Sequence, residues 1–333
     1  MARIEPIRTW QDGFIPLDET PIRFDRILAR ATVMKQVLQR LQTAAGRDIP
    51  VLILGETGTG KDLVAQSIHR RSQRKDGPYI AVNIAAIPRD LFASELFGHD
   101  KNSSTTRAQF GKISMAEGGT LFLDEIDALD LQAQAALLGV LENLEYCPLG
   151  SMQPKKTNVR IIAACHSDLQ EKVRLGTFRQ DLFFRLEVFT LTIPPLRSRS
   201  GAIPLLAQEF LKEVNLNYGL QVSGIDPVAL QRLETYSWPG NVRELKNVIQ
   251  RAILLARRGR VEESHLPDRF MAARASDIEQ GHHLVPGLTL RELERKYVKM
   301  TLSHCKGNKS RAAHMLGISR KALYAKVLRG KTA

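Results

Sequence analysis

The regular patterning of the chain begins at Ile27. Apolar residues at Leu28, Val33, Val37, Leu38 and Leu41 recur at helical spacing and predict a helix over 27–45. Pro50 to Gly55 then forms a continuous apolar run closed by glycine, the mark of a strand buried on both faces of a parallel sheet. Tyr79–Val82, Thr120–Leu123 and Val159–Ala164 read the same way. Helical segments such as Lys61–Arg70 and Leu131–Leu144 separate them, and this alternation implies a parallel sheet covered by helices. From Gly201 to Leu266 the pattern is helical throughout, which predicts a small α-helical second unit. The segment from Arg274 to Gly287, with Gly281, His282 and His283, lacks periodicity and reads as a linker. A last helical unit runs from Leu288 to the end, and no internal repeat is visible.

Composition narrows the class. The 333 residues leave ample core for two or three domains. No apolar run reaches the roughly 18 residues that span a bilayer, and Met1 to Asp18 lacks the apolar centre of a signal peptide. Cys147, Cys165 and Cys305 are far apart, which fits a reducing cytosol and argues against a disulfide framework or a zinc site. A cytoplasmic protein without a membrane partner is the expectation. The net charge of +13 points to a polyanionic partner, and its placement is telling: from Pro286 to Ala333 twelve Lys and Arg face only Glu292 and Glu294.

Two sequence elements carry chemistry. Gly55-Glu56-Thr57-Gly58-Thr59-Gly60-Lys61-Asp62 follows an apolar strand and opens a helix, the context of a phosphate-binding P-loop. Its glycines let backbone N–H groups aim at phosphate oxygens, while Lys61 and the helix N-terminus add positive charge. Asp62 stands where Ser or Thr ordinarily meets Mg²⁺, and a carboxylate also suits that ion. The second element is the strand ending in Asp124-Glu125. Asp124 is placed to hold Mg²⁺ and Glu125 to activate the attacking water. ATP and Mg²⁺ are the expected cofactors.

With these elements in place, the chain resembles the AAA+ domain of bacterial enhancer-binding proteins, the activators of sigma-54 RNA polymerase, over about Ile27 to Phe270. The family's loop GE(S/T)GTGKE appears as Gly55 to Asp62, and its strand ending in Asn as Tyr79 to Asn83. The resemblance makes Asn83 the switch partner of Glu125. Ser94 to His99 matches the run before the polymerase-contacting loop, and Phe178 to Leu186 the arginine-finger segment, with Ile193 to Arg197 following. Trp238 to Leu245 matches the sensor II motif. By this resemblance the fold is α/β, an AAA+ P-loop parallel sheet with a helical lid. Neighbouring subunits of a ring, a hexamer in the family, would offer Arg179 or Arg185 to the γ-phosphate, and Arg243 would contact nucleotide from the lid.

The pattern also breaks. Where the family carries GAFTGA, this chain reads Asp100 to Gly111 without the aromatic-threonine tip and about two residues short. The sensor I Ala-Thr-Asn is Ala164-Cys165-His166, and Pro148 stands where the family tends to have arginine. One reading is a DNA-binding regulator whose oligomeric ATPase has a weakened or absent sigma-54 contact. Another is a working sigma-54 activator with a divergent loop or a partner that supplies it. A third is a plain ATPase, against which the basic tail argues. RNA polymerase or a related regulator is a further expected partner.

That tail includes Gly307 to Lys326. Lys309–Leu316 reads as a first helix, Gly317 as the turn and Ser319 as the cap of a second helix. Ala313, Leu316, Ile318 and Leu323 would form its core. Lys309, Arg311, Ser319, Arg320, Lys321, Tyr324 and Lys326 are the candidate contacts to double-stranded DNA, from the last five of which a recognition helix is expected. The segment resembles the Fis-type helix-turn-helix that ends enhancer-binding proteins, units that bind palindromic sites as dimers. The expected organisation is a short extension at 1–25, an α/β subdomain at 26–200, a lid at 201–272, a linker at 273–287 and an all-α helix-turn-helix domain at 288–333. With so short an extension, no sensory domain is expected, and control would come from expression or a partner.

Overall fold

The computed structural model describes residues 8–9, 22–25, 27–100, 109–151, 153–166, 168–199, 201–270, 294, 297–298, 301, 305 and 308–323. The chain divides into two compact units, Met1–Phe270 and Met271–Ala333. Unit one opens with Arg8–Thr9 (β1), Ile22–Phe24 (β2) and Ile27–Ala29 (β3) in a small sheet, followed by helix Thr32–Ala45 (α1). The helix expected over 27–45 is thus corrected at its start. Ile27, Leu28 and Ala29 are buried as a strand antiparallel to β2, because three apolar residues satisfy either period until a pairing partner decides.

The chain continues through Val51–Leu54 (β4), Lys61–Arg70 (α2), Tyr79–Asn83 (β5), Arg89–Phe97 (α3), Gly98–His99 (β6), Gln109–Phe110 (β7), Lys112–Met115 (α4) and Thr120–Asp124 (β8). After it come Leu131–Asn143 (α5), Glu145–Tyr146 (β9), Lys155–Lys156 (β10), Arg160–Cys165 (β11), Leu169–Arg174 (α6), Gln180–Leu186 (α7) and Thr190–Thr192 (β12). The central sheet has the order β12-β4-β11-β8-β5, with every pair parallel. Successive residues of its strands feed opposite cores. Leu52, Leu121, Leu123, Ile161 and Ala163 pack on one face with Leu96, Leu137 and Leu182. Val51, Ile53, Phe122, Ile162 and Ala164 pack on the other with Leu38, Leu41, Val64 and Ile68. Burial on both faces explains why β4, β8 and β11 read as unbroken apolar runs.

The strands' C-terminal ends gather the chemistry. Asn83 sits level with Asp124 across the β5–β8 pair, and Leu54 with Cys165 across β4–β11. The antiparallel β6–β7 pair, separate from the central sheet, meets the segment after β9. Leu149 N–H donates to Gly98 O at 2.9 Å and Asp100 N–H to Leu149 O at 3.1 Å.

The second half of unit one is Ala202–Tyr218 (α8), Gln221–Ile225 (β13), Pro227–Thr235 (α9), Asn241–Ala256 (α10) and Arg258–Val261 (β14). It is mostly helical, and the expectation that strands stop at Gly201 is corrected by the parallel β13–β14 pair. Only Val222 and Val261 are buried in those two strands, so no apolar run announces them. Unit two contains helix Lys309–Met315 (α11), capped by Asn308 Oδ1, which accepts from Ser310 and Arg311 N–H at 3.1 and 3.2 Å. Among the described residues no helix is long and apolar enough to cross a membrane.

Candidate functional site

β4 delivers the loop Gly55 to Gly60 onto the start of α2. Gly58 (φ +78°) and Gly60 (φ +98°) take the left-handed conformation that this loop needs at two points. Lys61 is buried, and its ammonium donates to the carbonyls of Gly55 at 2.9 Å and Glu56 at 3.2 Å, so the cation folds over the loop it serves. Asp62, next along α2, is exposed.

Across the sheet edge, Asp124 ends β8 half-buried. Burial raises its carboxyl pKa, while the nearby Lys61 charge and the Glu125 N–H draw it back down. That N–H donates to Asp124 Oδ1 at 3.0 Å. Glu125 itself has φ +56°, a left-handed turn in a residue other than glycine, of the kind that stores strain at functional sites. Asn83 uses Oδ1 to accept from Ala86 N–H at 3.1 Å, closing a turn after β5; its hydrogen bond is not to Glu125. Cys165 is buried at the end of β11, and its carbonyl accepts from Gly55 N–H at 3.3 Å; His166 beside it is exposed.

The expected finger arginines lie on the surface. Arg179 pairs with Asp181 through two bonds of 3.0 and 2.7 Å, and Arg185 donates to Glu142 at 3.0 Å. The structure brings neither together with Lys61, Asp124 or Glu125. Arg243 is exposed at the start of α10. Its backbone N–H, like that of Val242, donates to Gly58 O, at 3.2 and 2.9 Å, so the lid helix begins against the phosphate loop.

Arg197, Asn241 and Arg199, to which the sequence assigned no role of their own, tie the loop to the lid helix and to the segment that precedes it. Glu56 is gripped by Arg197 at 2.8 and 2.6 Å. The hydrogen bonds of Arg197, then of Asn241, pull its carboxyl pKa to about 2. Asn241, fully buried, donates to Glu56 at 3.1 Å and to Thr57 O at 3.0 Å, and accepts from Leu196 N–H at 2.8 Å. Arg199 donates to Thr59 O at 2.9 Å. The Trp238-Pro239-Gly240-Asn241 run was visible in the sequence as a motif; its contact with residues 185 positions earlier was not.

In unit two, Gly317 takes φ +64° and Ser319 Oγ accepts from Ala322 N–H at 3.2 Å, capping a helix that begins at Arg320. Ala312, Ala313 and Leu323 are buried with Val298 and Cys305, and Leu316 and Ile318 pack against them. Lys309, Arg311, Ser319, Arg320 and Lys321 are exposed. Tyr324 and Lys326, the segment 101–108 and the 273–287 linker lie outside the described residues.

The family comparisons agree along the chain. Residues 27–192 match the sigma-54 interaction domain, 197–283 the AAA+ ATPase lid domain and 289–329 the Fis-family bacterial regulatory protein. The DNA-binding transcriptional regulator NtrC of Azospirillum brasilense is 41% identical over 330 residues, covering 90% of this chain and 68% of that protein. The transcriptional regulatory protein FlbD of Caulobacter vibrioides is 39% identical, covering 98% of this chain and 77% of its own length. Among solved structures, NtrX from Brucella abortus in complex with ATP is similar at a TM-score of 0.69 and 32% identity, covering 92% of this chain and 69% of that one. This chain belongs to the NtrC-like sigma-54-dependent transcriptional regulators, with an AAA+ P-loop domain, its lid and a DNA-binding Fis-type helix-turn-helix.

Proposed function

We propose that the protein hydrolyses ATP at the seam of a self-assembled ring, a hexamer by family likeness, and couples that cycle to transcription from sites read by its C-terminal unit. The observation that carries this reading is the nearness of the Lys61 charge, on its glycine loop after β4, to the half-buried Asp124 at the end of β8, two strands across the sheet. The donor set suits Mg²⁺: Asp124 and Asp62 are hard oxygen ligands, and one or two carboxylates beside nucleotide phosphates are what this ion ordinarily takes. Bound there, the ion supplies charge neutralisation at the phosphates. Lys61 and the loop N–H groups hold the phosphates, and Glu125 orients and deprotonates the attacking water. Arg179 and Arg185 are offered to the neighbouring subunit, exchanging Asp181 and Glu142 for its γ-phosphate. Asn83 restrains Glu125 once it leaves the Ala86 turn, and Arg243 contacts nucleotide from the lid.

Lys61→Ala is expected to abolish ATP binding, and Glu125→Gln to bind ATP while hydrolysing at least ~100-fold more slowly. Unchanged ATP affinity in the first variant overturns the assignment. Lys309, Arg311, Ser319, Arg320, Lys321, Tyr324 and Lys326 are the proposed contacts to double-stranded DNA.

For the polymerase side, we propose that direct contact with sigma-54 is weakened, because Asp100 to Gly111 lacks the aromatic-threonine tip. A stable complex of the protein, sigma-54 and a transition-state nucleotide analogue would refute this and favour the second reading, an activator with a divergent loop.

A further inference from the structure

Arg199 carries its guanidinium into the interior behind the phosphate loop, 6% exposed. Nη2 donates to Thr59 O and to Pro194 O, both at 2.9 Å, and Nε donates to Pro194 O at 3.1 Å. All of these partners are neutral carbonyls, and among the described residues no carboxylate pairs with it. Arg160, also deeply buried, bonds to carbonyls as well, but the charge of Asp48 supports it. Burial alone pushes the Arg199 pKa down to about 10, so the group is still a cation at neutral pH.

An interior cation without a counter-ion is a costly thing to keep. Here it touches the middle of a loop whose expected ligand is a polyanion. We propose that Arg199 is a positioning residue for nucleotide. It is a fixed positive charge behind the loop that aims Thr59 through its carbonyl and strengthens binding in proportion to the negative charge on the phosphates. The proposal rests on the reading of Gly55 to Asp62 as an ATP site. Two unit charges roughly 10 Å apart at an effective dielectric near ~20 shift an equilibrium on the order of ten-fold.

The test titrates AMP, ADP and a non-hydrolysable ATP analogue into the full chain by calorimetry, for the wild type, Arg199→Gln and Arg199→Lys. Glutamine keeps a hydrogen-bond donor and removes the charge; lysine keeps the charge and removes the fork. The expected result for Arg199→Gln is a loss that grows from AMP through ADP to about ten-fold for the ATP analogue, with Arg199→Lys restoring most of it. Equal losses for all three ligands, or a lysine variant as impaired as the glutamine one, overturn the proposal and leave Arg199 a structural residue. Should the glutamine variant fail to fold, Arg199→Met, which keeps an apolar stem of similar length and removes the charge, takes its place with the same supporting and overturning outcomes. A wild type that binds none of the three ligands overturns the ATP-site reading itself, and the proposal with it.

Discussion

Asn241 donates from Nδ2 to the carboxylate of Glu56 at 3.1 Å, so the first residue of lid helix α10 holds the second residue of the phosphate loop. The same amide serves Thr57 O and Leu196 N–H. Loop, lid and the segment between sheet and lid therefore share one buried side chain, which ties the loop's shape to the root of the lid.

Removing that side chain is expected to be expensive. Asn241→Ala leaves the Leu196 N–H and Thr57 carbonyl without their partner, and it places alanine at φ +51°. A destabilisation of about 2–4 kcal/mol should appear in urea unfolding, with nucleotide affinity falling alongside. A loss below about 1 kcal/mol would show that the node is incidental.

The Glu56–Arg197 pair should reveal itself through pH. The Glu56 pKa is lowered in the folded chain to about 2 from an ordinary 4.5. A depressed carboxyl contributes stability that is fully present above the unfolded pKa and is lost as pH falls through the folded one. The stability difference between wild type and Glu56→Gln should therefore be constant above about pH 5.5 and shrink between about pH 4.5 and 2. The pair is solvent-exposed, so added salt should also shrink it. A difference that grows on acidification contradicts this assignment.

How far the sequence reveals these features depends on the range of the interaction. Gly58, Lys61, Asp124 and Glu125 were legible because loop, strand end and helix start lie within a few residues of one another. The three inner apolar runs, β4, β8 and β11, were legible because burial on both faces leaves few polar positions to blur them. β12 was not, since only Leu191 of Thr190–Thr192 is buried. Nor was the β13–β14 ribbon, whose partners are joined only after two intervening helices. Arg199 and Asn241 belong to the same class: a charged residue and an amide whose meaning lies in carbonyls that only the folded chain brings near.

Gly58 tests the closeness of loop and lid directly. A Cβ there would lie 2.3 Å from Gly240 O and 3.1 Å from the Cβ of Arg243, at a φ of +78°. Gly58→Ala should destabilise the fold by more than about 2 kcal/mol and impair nucleotide binding, as read by thermal melting with and without ATP. A variant as stable as wild type would mean that loop and lid can part without cost.

In the C-terminal unit, position and charge separate cleanly. Ser319→Ala removes the bond to Ala322 N–H and should cost about 1 kcal/mol of stability in that unit. Arg320→Ala and Lys321→Ala should leave stability within about 0.5 kcal/mol. If each neutralises one phosphate, the slope of log affinity against log salt falls by nearly 1 per residue. An unchanged slope in both would place the DNA contact elsewhere.

The backbone bonds joining Leu149 to Gly98 and Asp100 have an engineering consequence. They stitch Asp100, where the 101–108 segment begins, to the neighbouring hairpin through main-chain atoms, and the ion pair of Asp100 with Lys155 at 4.0 Å adds a side-chain contact. Exchanging residues 101–108 should therefore leave these main-chain bonds in place. A longer tip transplanted from a relative between Asp100 and Gln109 inherits a ready-made pedestal.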